Sequence, residues 1–348
     1  MVETGSQRKR RRYEQDRIID LSDCVLLHTL SFLNVKEAVQ TCILSKKWIN
    51  LWKTLSTLTL NVDQFGTHQR FKRFLSMLLS LRDHSTDIHS LVVHEDIMDH
   101  NLYQKIIEYA FSRNIQHFQI HYTPFNLLPS CFFSSLTLTS LTLTGINLML
   151  PRQHQIFPCS HSQSFNFPAL TTLSLKYLYF CCNDNDNGSF VDPFSTFNML
   201  NTLIIDCCAL RGNAQNLRIS CTKLVNLTLH MCPFSGLFPT TTTKADFKIN
   251  FGIELCAPTL HSFVFSGAKY IPKLFGTKTV FSSIKHLDIF LHCSMCLDKA
   301  QIFNLFKLLV EFAHIESLTI TYFVLKVLYI CNINAAFYIV ILNFINCN

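Results

Sequence analysis

An apolar residue, any residue and a second apolar residue recur along most of this chain. The copies are Leu91/Val93, Phe118/Ile120, Leu141/Leu143, Leu173/Leu175, Leu203/Ile205, Leu227/Leu229, Phe263/Phe265, Leu287/Ile289 and Leu318/Ile320. They stand about 23–36 residues apart, a period of stacked repeats and not of a single compact core. Side chains two positions apart share one face of a strand. Each copy therefore reads as a short strand with its apolar pair turned inward. Stacked copies build a parallel sheet along one side of a curved solenoid. A sandwich of sequential strands would need Gly or Asn turns every ~8–12 residues, and this chain of 348 residues has only 9 Gly. It has 31 Phe. Phe125, Phe132, Phe133, Phe157, Phe167, Phe197 and Phe281 fall between the strands, and the reading places them in the gap to the convex side.

The same alternation assigns an outward, concave face. One row is Val92, Gln119, Thr142, Ser174, Ile204, Thr228, Val264, Asp288 and Thr319; the next is His94, His121, Thr144, Lys176, Asp206, His230, Ser266, Phe290 and Thr321. Hydroxyl and imidazole groups dominate, which suits a protein or small-molecule partner better than a phosphate backbone. His94, His121, Lys176, Asp206, His230 and Phe290 are the candidate substrate-binding residues. The alternative is that both rows are ordinary solvated strand residues, with the ligand at a loop edge.

Residues 16–62 follow a different pattern. The chain's two tryptophans, Trp48 and Trp52, are four residues apart, a spacing that puts both indoles on one face of a helix. Ser22 is a good N-cap for a helix carrying Val25, Leu26, Leu30 and Leu33, with Asp23 in its first turn. Asn34 can cap a second helix and Ser45 a third that ends at Trp52. Three such helices carry more apolar surface than a core that small can hide. The module is then either a cap on the array behind it or a docking piece for another protein.

Asp16-Arg17-Ile18, Leu21, Leu30-Ser31-Phe32-Leu33, Lys36-Glu37-Ala38-Val39, Leu44-Ser45-Lys46-Lys47-Trp48 and Leu51-Trp52 stand at spacings that resemble the F-box of plant F-box/leucine-rich-repeat proteins. Leu127-Leu128-Pro129, Leu138-Thr139-Ser140-Leu141-Thr142-Leu143 and Phe167-Pro168-Ala169-Leu170-Thr171-Thr172-Leu173-Ser174-Leu175 resemble repeats of the same family, whose FBD-type members end in a further domain not visible here. The resemblance implies an α/β chain: a short N-terminal three-helix F-box, then an irregular leucine-rich-repeat solenoid with a parallel β-sheet on its concave side. The expected boundaries are a basic tail over 1–15, the F-box over 16–62, the solenoid over 66–322 and an atypical apolar tail over 323–348. The resemblance also implies docking on a Skp-type adaptor and, through it, a cullin ubiquitin-ligase scaffold. Leu21, Val25, Leu26, Leu30, Leu44, Trp48 and Trp52 would supply docking or supporting contacts. The family usually has proline where this chain has Ser22 and Asn34; both replacements can still cap a helix.

Other chemistry is faint. Cys293-Ser294-Met295-Cys296 after His292 has zinc-like spacing, but a structural site needs four ligands. Cys181-Cys182 and Cys207-Cys208 are adjacent pairs that chelate one ion poorly, and His117 and His121 lie on an expected strand. Gly276-Thr277-Lys278-Thr279 lacks the Gly-Lys adjacency of a phosphate loop. No nucleophile elbow is present. No cofactor, no metal and no catalytic residue are expected. Net charge is +7, with five of the positive charges in the run Arg8, Lys9, Arg10, Arg11 and Arg12. The remainder is nearly neutral, which argues against a nucleic-acid partner. The run itself reads as a nuclear-import signal or a solvated tail. The polar N-terminus has no apolar stretch, so the 15 Cys are expected to be reduced, in the nucleus or cytoplasm. Residues 322–345 have the length of a membrane span, but Lys326, Asn332 and Asn334 interrupt them. Three functions stay open: a substrate receptor of a ubiquitin ligase, a scaffold or degenerate copy that no longer meets the ligase, and a membrane-anchored binding protein.

Overall fold

The computed structural model describes residues 21–94, 100–121, 128–145, 156–157, 165–181, 190–231, 247–248, 250–268, 270–292, 297–312 and 315–330. The chain divides into two compact units, Met1–Ile120 and His121–Asn348.

The first unit opens with helices. α1 (Asp23–Ser31) starts at Ser22, whose carbonyl accepts from the Val25 and Leu26 N–H groups at 3.1 Å each while its hydroxyl makes no capping bond. α2 (Val35–Gln40) starts at Asn34. There Asn34 Oδ1 accepts the Glu37 N–H at 3.0 Å, and Glu37 Oε2 accepts the Asn34 N–H at 3.3 Å. Such a reciprocal capping box satisfies two otherwise orphaned donors. The third helix expected from Ser45 to Trp52 is not a single α-helix. Lys46–Trp48 and Leu51–Thr54 are separate 3-10 turns, and Ser45 makes no capping bond. Asn50, at φ −112° and ψ −8°, breaks the run between them. Four-residue spacing therefore does not put the two indoles on one helical face, yet both are buried.

Three parallel strands follow: β1 (Thr57–Asn61), β2 (Ser90–His94) and β3 (His117–His121), in that order. α3 (His68–Leu81) and α4 (His100–Phe111) supply the crossovers. In β1, Leu58 and Leu60 align with Leu91 and Val93, making an earlier copy of the repeated pair than the sequence reading assigned.

The second unit holds a parallel sheet of β4 (Ser140–Thr144), β6 (Thr172–Lys176), β9 (Thr202–Asp206), β12 (Asn226–His230), β15 (Ser262–Gly267), β17 (His286–Leu291) and β18 (Ser317–Ile320), in chain order. The sequence reading assigned one strand to each repeat, but the return segments carry strands too. β5 (Ile156–Phe157), β7 (Tyr179–Cys181) and β10 (Ala209–Arg211) pair in parallel, with β13 (Phe247–Lys248) antiparallel to β10. β8 (Phe190–Val191), β11 (Asn216–Ile219), β14 (Gly252–Leu255) and β16 (Leu274–Gly276) form a third, parallel sheet. Towards the C-terminal side helices return: α5 (Lys278–Ser283), α6 (Lys299–Glu311) and α7 (Tyr322–Ile330).

Each repeat has more order than two alternating apolar residues. A third buried side chain lies three positions before each pair: Leu55, Ile88, Ile115, Leu138, Leu170, Leu200, Leu224, Leu260, Ile284 and Ile315. From β6 onward a fourth lies three positions earlier still, as Phe167, Phe197, Cys221, Ala257, Phe281 and Phe312, and all are buried. Between these two positions the chain makes one tight turn, as in Leu170 N–H to Phe167 O at 3.1 Å and Leu200 N–H to Phe197 O at 3.3 Å. The carbonyl just before each strand then accepts two N–H groups from the next repeat. Thr171 O takes Asn201 and Thr202, Asn201 O takes Val225 and Asn226, and Val225 O takes His261 and Ser262, at 2.8–3.0 Å. This shared carbonyl fixes the register from repeat to repeat. A one-residue slip would turn every apolar side chain outward.

Of the Phe residues expected between strands, Phe132, Phe157, Phe167, Phe197 and Phe281 are buried and Phe133 is half-buried; Phe125 lies outside the described residues. Phe167 and Phe197 stack at 6.4 Å and 10°, and Phe132 meets Phe167 edge-on at 5.9 Å and 83°. Among the described residues no helix is long and apolar enough to cross a membrane. Residues 331–348 lie outside them.

Candidate functional site

α1 is apolar on two sides. At about 100° per residue, Val25, His28 and Phe32 lie within a stripe of roughly 60°, and Leu26 and Leu30 project on the other side. Leu26 and Leu30 are buried, whereas Val25 is 46% and Phe32 75% exposed. His28 packs edge-on against Phe32 with ring centroids 4.8 Å apart. The turn after α2 and the Lys46–Trp48 turn add Ile43, Leu44 and Ile49, all exposed. Cys42 Sγ donates to the Ile49 carbonyl at 3.4 Å, folding these turns onto each other. Lys47 joins them to α1: its Nζ donates to the Leu21 carbonyl and lies 3.7 Å from Asp23 Oδ1.

The structure thus sorts the residues named from sequence. Leu26, Leu30, Trp48 and Trp52 form the module's core and support its shape. Leu21, Val25 and Leu44 are on its surface, together with Phe32, Ile43 and Ile49, which sequence reasoning did not single out. Phe32 was within reach, since it follows Val25 by seven residues, two helical turns on the same side. Ile43 and Ile49 were not, because helical phase does not carry through 3-10 turns.

A second set of surface residues lies on the sheet of the second unit. Thr144, Lys176, Asp206, His230, Ser266 and Phe290 are cross-strand neighbours in one continuous row. Lys176 Nζ is 2.8 Å from Asp206 Oδ2, and this hydrogen bond raises the lysine pKa. Ser266 Oγ and His292 Nε2 are 2.8 Å apart. His94 of the first unit aligns with Asn61 of β1, and His121, the first residue of the second unit, ends β3. His117 stacks edge-on against His89 at 4.9 Å; burial, and then His89, lower its pKa.

The fainter signals have structural settings. Gly276 ends β16, and Thr277 caps the six-residue α5 through the Val280 N–H. Cys207 is buried at φ 50°, and burial pushes the Cys208 thiol up to about 12. Among the described residues no group of three or more His, Cys, Asp and Glu side chains could hold a metal ion. Cys293, Cys296, Cys182 and Arg8 to Arg12 lie outside the described residues.

Residues 18–59 match the F-box domain family. F-box/LRR-repeat protein 13 of Arabidopsis thaliana is 32% identical over 149 residues, 40% of this chain and 32% of that protein. A putative F-box/FBD/LRR-repeat protein of the same plant is 29% identical over 226 residues, 62% of this chain and 42% of that protein. An F-box protein of Arabidopsis thaliana is 33% identical over 170 residues, 46% of this chain and 50% of that protein. The chain spans about a third to a half of the length of these relatives. No solved structure matches. The chain carries an F-box domain, and its relatives are plant F-box/LRR-repeat and F-box/FBD/LRR-repeat proteins.

Proposed function

We propose that this chain is a substrate receptor of a Skp-cullin-F-box type ubiquitin ligase, non-catalytic itself. The observation that carries the reading is the apolar surface of Leu21, Val25, Phe32, Ile43, Leu44 and Ile49, which lies within the residues matching the F-box domain. Large apolar groups left exposed on so small a module fit a partner interface. A Skp-type adaptor takes that surface and brings the cullin scaffold. The second unit reads as a leucine-rich-repeat solenoid: Leu200-x-x-Leu203-x-Ile205-x-x-Cys208-x-Leu210 fits the L-x-x-L-x-L-x-x-N/C-x-L repeat, and Cys208 Sγ reaches the Leu175 carbonyl of the preceding repeat at 3.5 Å. Its outward row of Thr144, Lys176, Asp206, His230, Ser266 and Phe290 holds the protein substrate. Lys176 and Asp206 offer that substrate a bonded pair and not two separate charges. Bringing substrate beside the charged conjugating enzyme raises its effective concentration there.

The test is calorimetric titration of the full chain with purified Skp-type adaptor. Val25→Asp and Phe32→Asp should each abolish binding while leaving the circular dichroism unchanged. Wild-type binding that survives both substitutions would remove the docking reading.

A further inference from the structure

α1 has nine residues, too few for a helix to persist on its own. Its first turn receives no side-chain capping bond. Yet Leu21 and Val25, at that end, are part of the docking surface. The side chain that reaches this end from the far part of the module is Lys47. Its ammonium donates to the Leu21 carbonyl and stands 3.7 Å from Asp23 Oδ1, across 26 residues of chain. Its own position is fixed by its neighbour Trp48, buried in the core. The Lys47 side chain is 28% exposed, so its bond to a carbonyl is worth more than a fully solvated ion pair.

We propose that Lys47 is the residue that positions the docking surface. It holds Leu21 and the first turn of α1 against the 44–49 turn, so that Leu21, Val25, Leu44 and Ile49 stand as one surface before a partner arrives. This rests on the docking reading above and assigns what makes that surface preorganised. Without the clamp the first turn frays, and the partner must bind the fraction of molecules in which it is formed. Lys47 acts through α1 and not by touching the partner.

A proline at position 22 separates these possibilities. Ser22 has φ −66°, the value that a proline ring imposes, and proline also drives the preceding residue to extended backbone. Ser22→Pro should therefore fix the start of α1 without Lys47. The experiment titrates the full chain with Skp-type adaptor as wild type, Lys47→Met, Ser22→Pro/Lys47→Met and Val25→Asp, and follows amide exchange at Val25 and Leu26. Lys47→Met should weaken Kd about tenfold, the size of one charge-assisted hydrogen bond, and speed exchange at both amides. The double variant should recover most of both. Unchanged binding or exchange in Lys47→Met overturns the proposal, as does a loss that Ser22→Pro does not recover. If Lys47→Met binds normally and Val25→Asp does not bind, the clamp fails and the docking reading stands. If the wild type does not bind, both fail. Should Lys47→Met not fold, Lys47→Ala, which also removes the donor to the Leu21 carbonyl, carries the same comparison.

Discussion

Within the F-box module, two positions where the related family usually has proline show how a single φ angle is held. Ser22 and Asn34 sit at φ −66° and −68°, both inside proline's range. They keep that geometry by different means. Asn34 spends its side chain and its N–H on the capping box, so Asn34→Ala should cost about 1 kcal/mol in chemical denaturation. The Ser22 N–H has no acceptor among the described residues, so Ser22→Pro should add about 0.4–1 kcal/mol by restricting the unfolded chain. The tryptophans, the most visible residues in the sequence, belong to the core. Trp48→Ala should cost about 3–5 kcal/mol, whereas Phe32→Ser, at the surface, should stay within about 0.5 kcal/mol. Guanidinium unfolding of the two variants measures the contrast. A sequence gives residue type and spacing, and neither separates an indole that anchors a partner from one that anchors its own module.

At the scale of elements, the repeat is a turn, a shared carbonyl and a strand, not a strand alone. The apolar pairs were legible because a period of two is local. The buried residues three and six positions earlier were equally present in the sequence, but they lie in turns where no short periodicity marks them. Cys221 takes the place that Phe167 and Phe197 hold in the preceding repeats, and its thiol donates to the Phe194 carbonyl at 3.6 Å. Burial pushes both Cys208 and Cys221 up to about 12. Unfolded, these thiols ionise near about 8.5. The folded chain therefore holds its protons more tightly, and stability present below about pH 8.5 is lost as pH rises towards 12. Urea midpoints should fall between about pH 9 and 11, and Cys208→Ala/Cys221→Ala should flatten the slope there. An unchanged slope in the double variant would show that these thiols are not protected.

For the whole molecule, each inner strand of the main sheet in the second unit pairs with the strands of the preceding and following repeats, the arrangement in which stability is a sum of local terms. Its terminal strand differs from the rest. Inner strands β6, β9 and β12 bury their apolar pairs, whereas Leu318 and Ile320 of β18 are half-exposed. Beside it α7 exposes Tyr322 and Tyr329 at 71% and 73%. Native-state hydrogen exchange should accordingly find the β9 and β12 amides the slowest and those of β18 and α7 much faster. Equal protection from β9 through β18 would contradict this gradient.

The repeat period, the inward and outward faces of the strands and the F-box spacing were all legible along the chain, because each rests on residues close together in it. The expectation of one strand per repeat missed the second and third sheets, whose strands of two to four residues are too short to carry a period. Which apolar residues of the module face solvent was settled by contacts that form only on folding. A helix with Leu26 and Leu30 on one side and Val25 and Phe32 on the other can bury either side. The choice was made by the Leu51–Thr54 turn and by Lys47, which are distant in sequence and meet the start of the module only when the chain is folded.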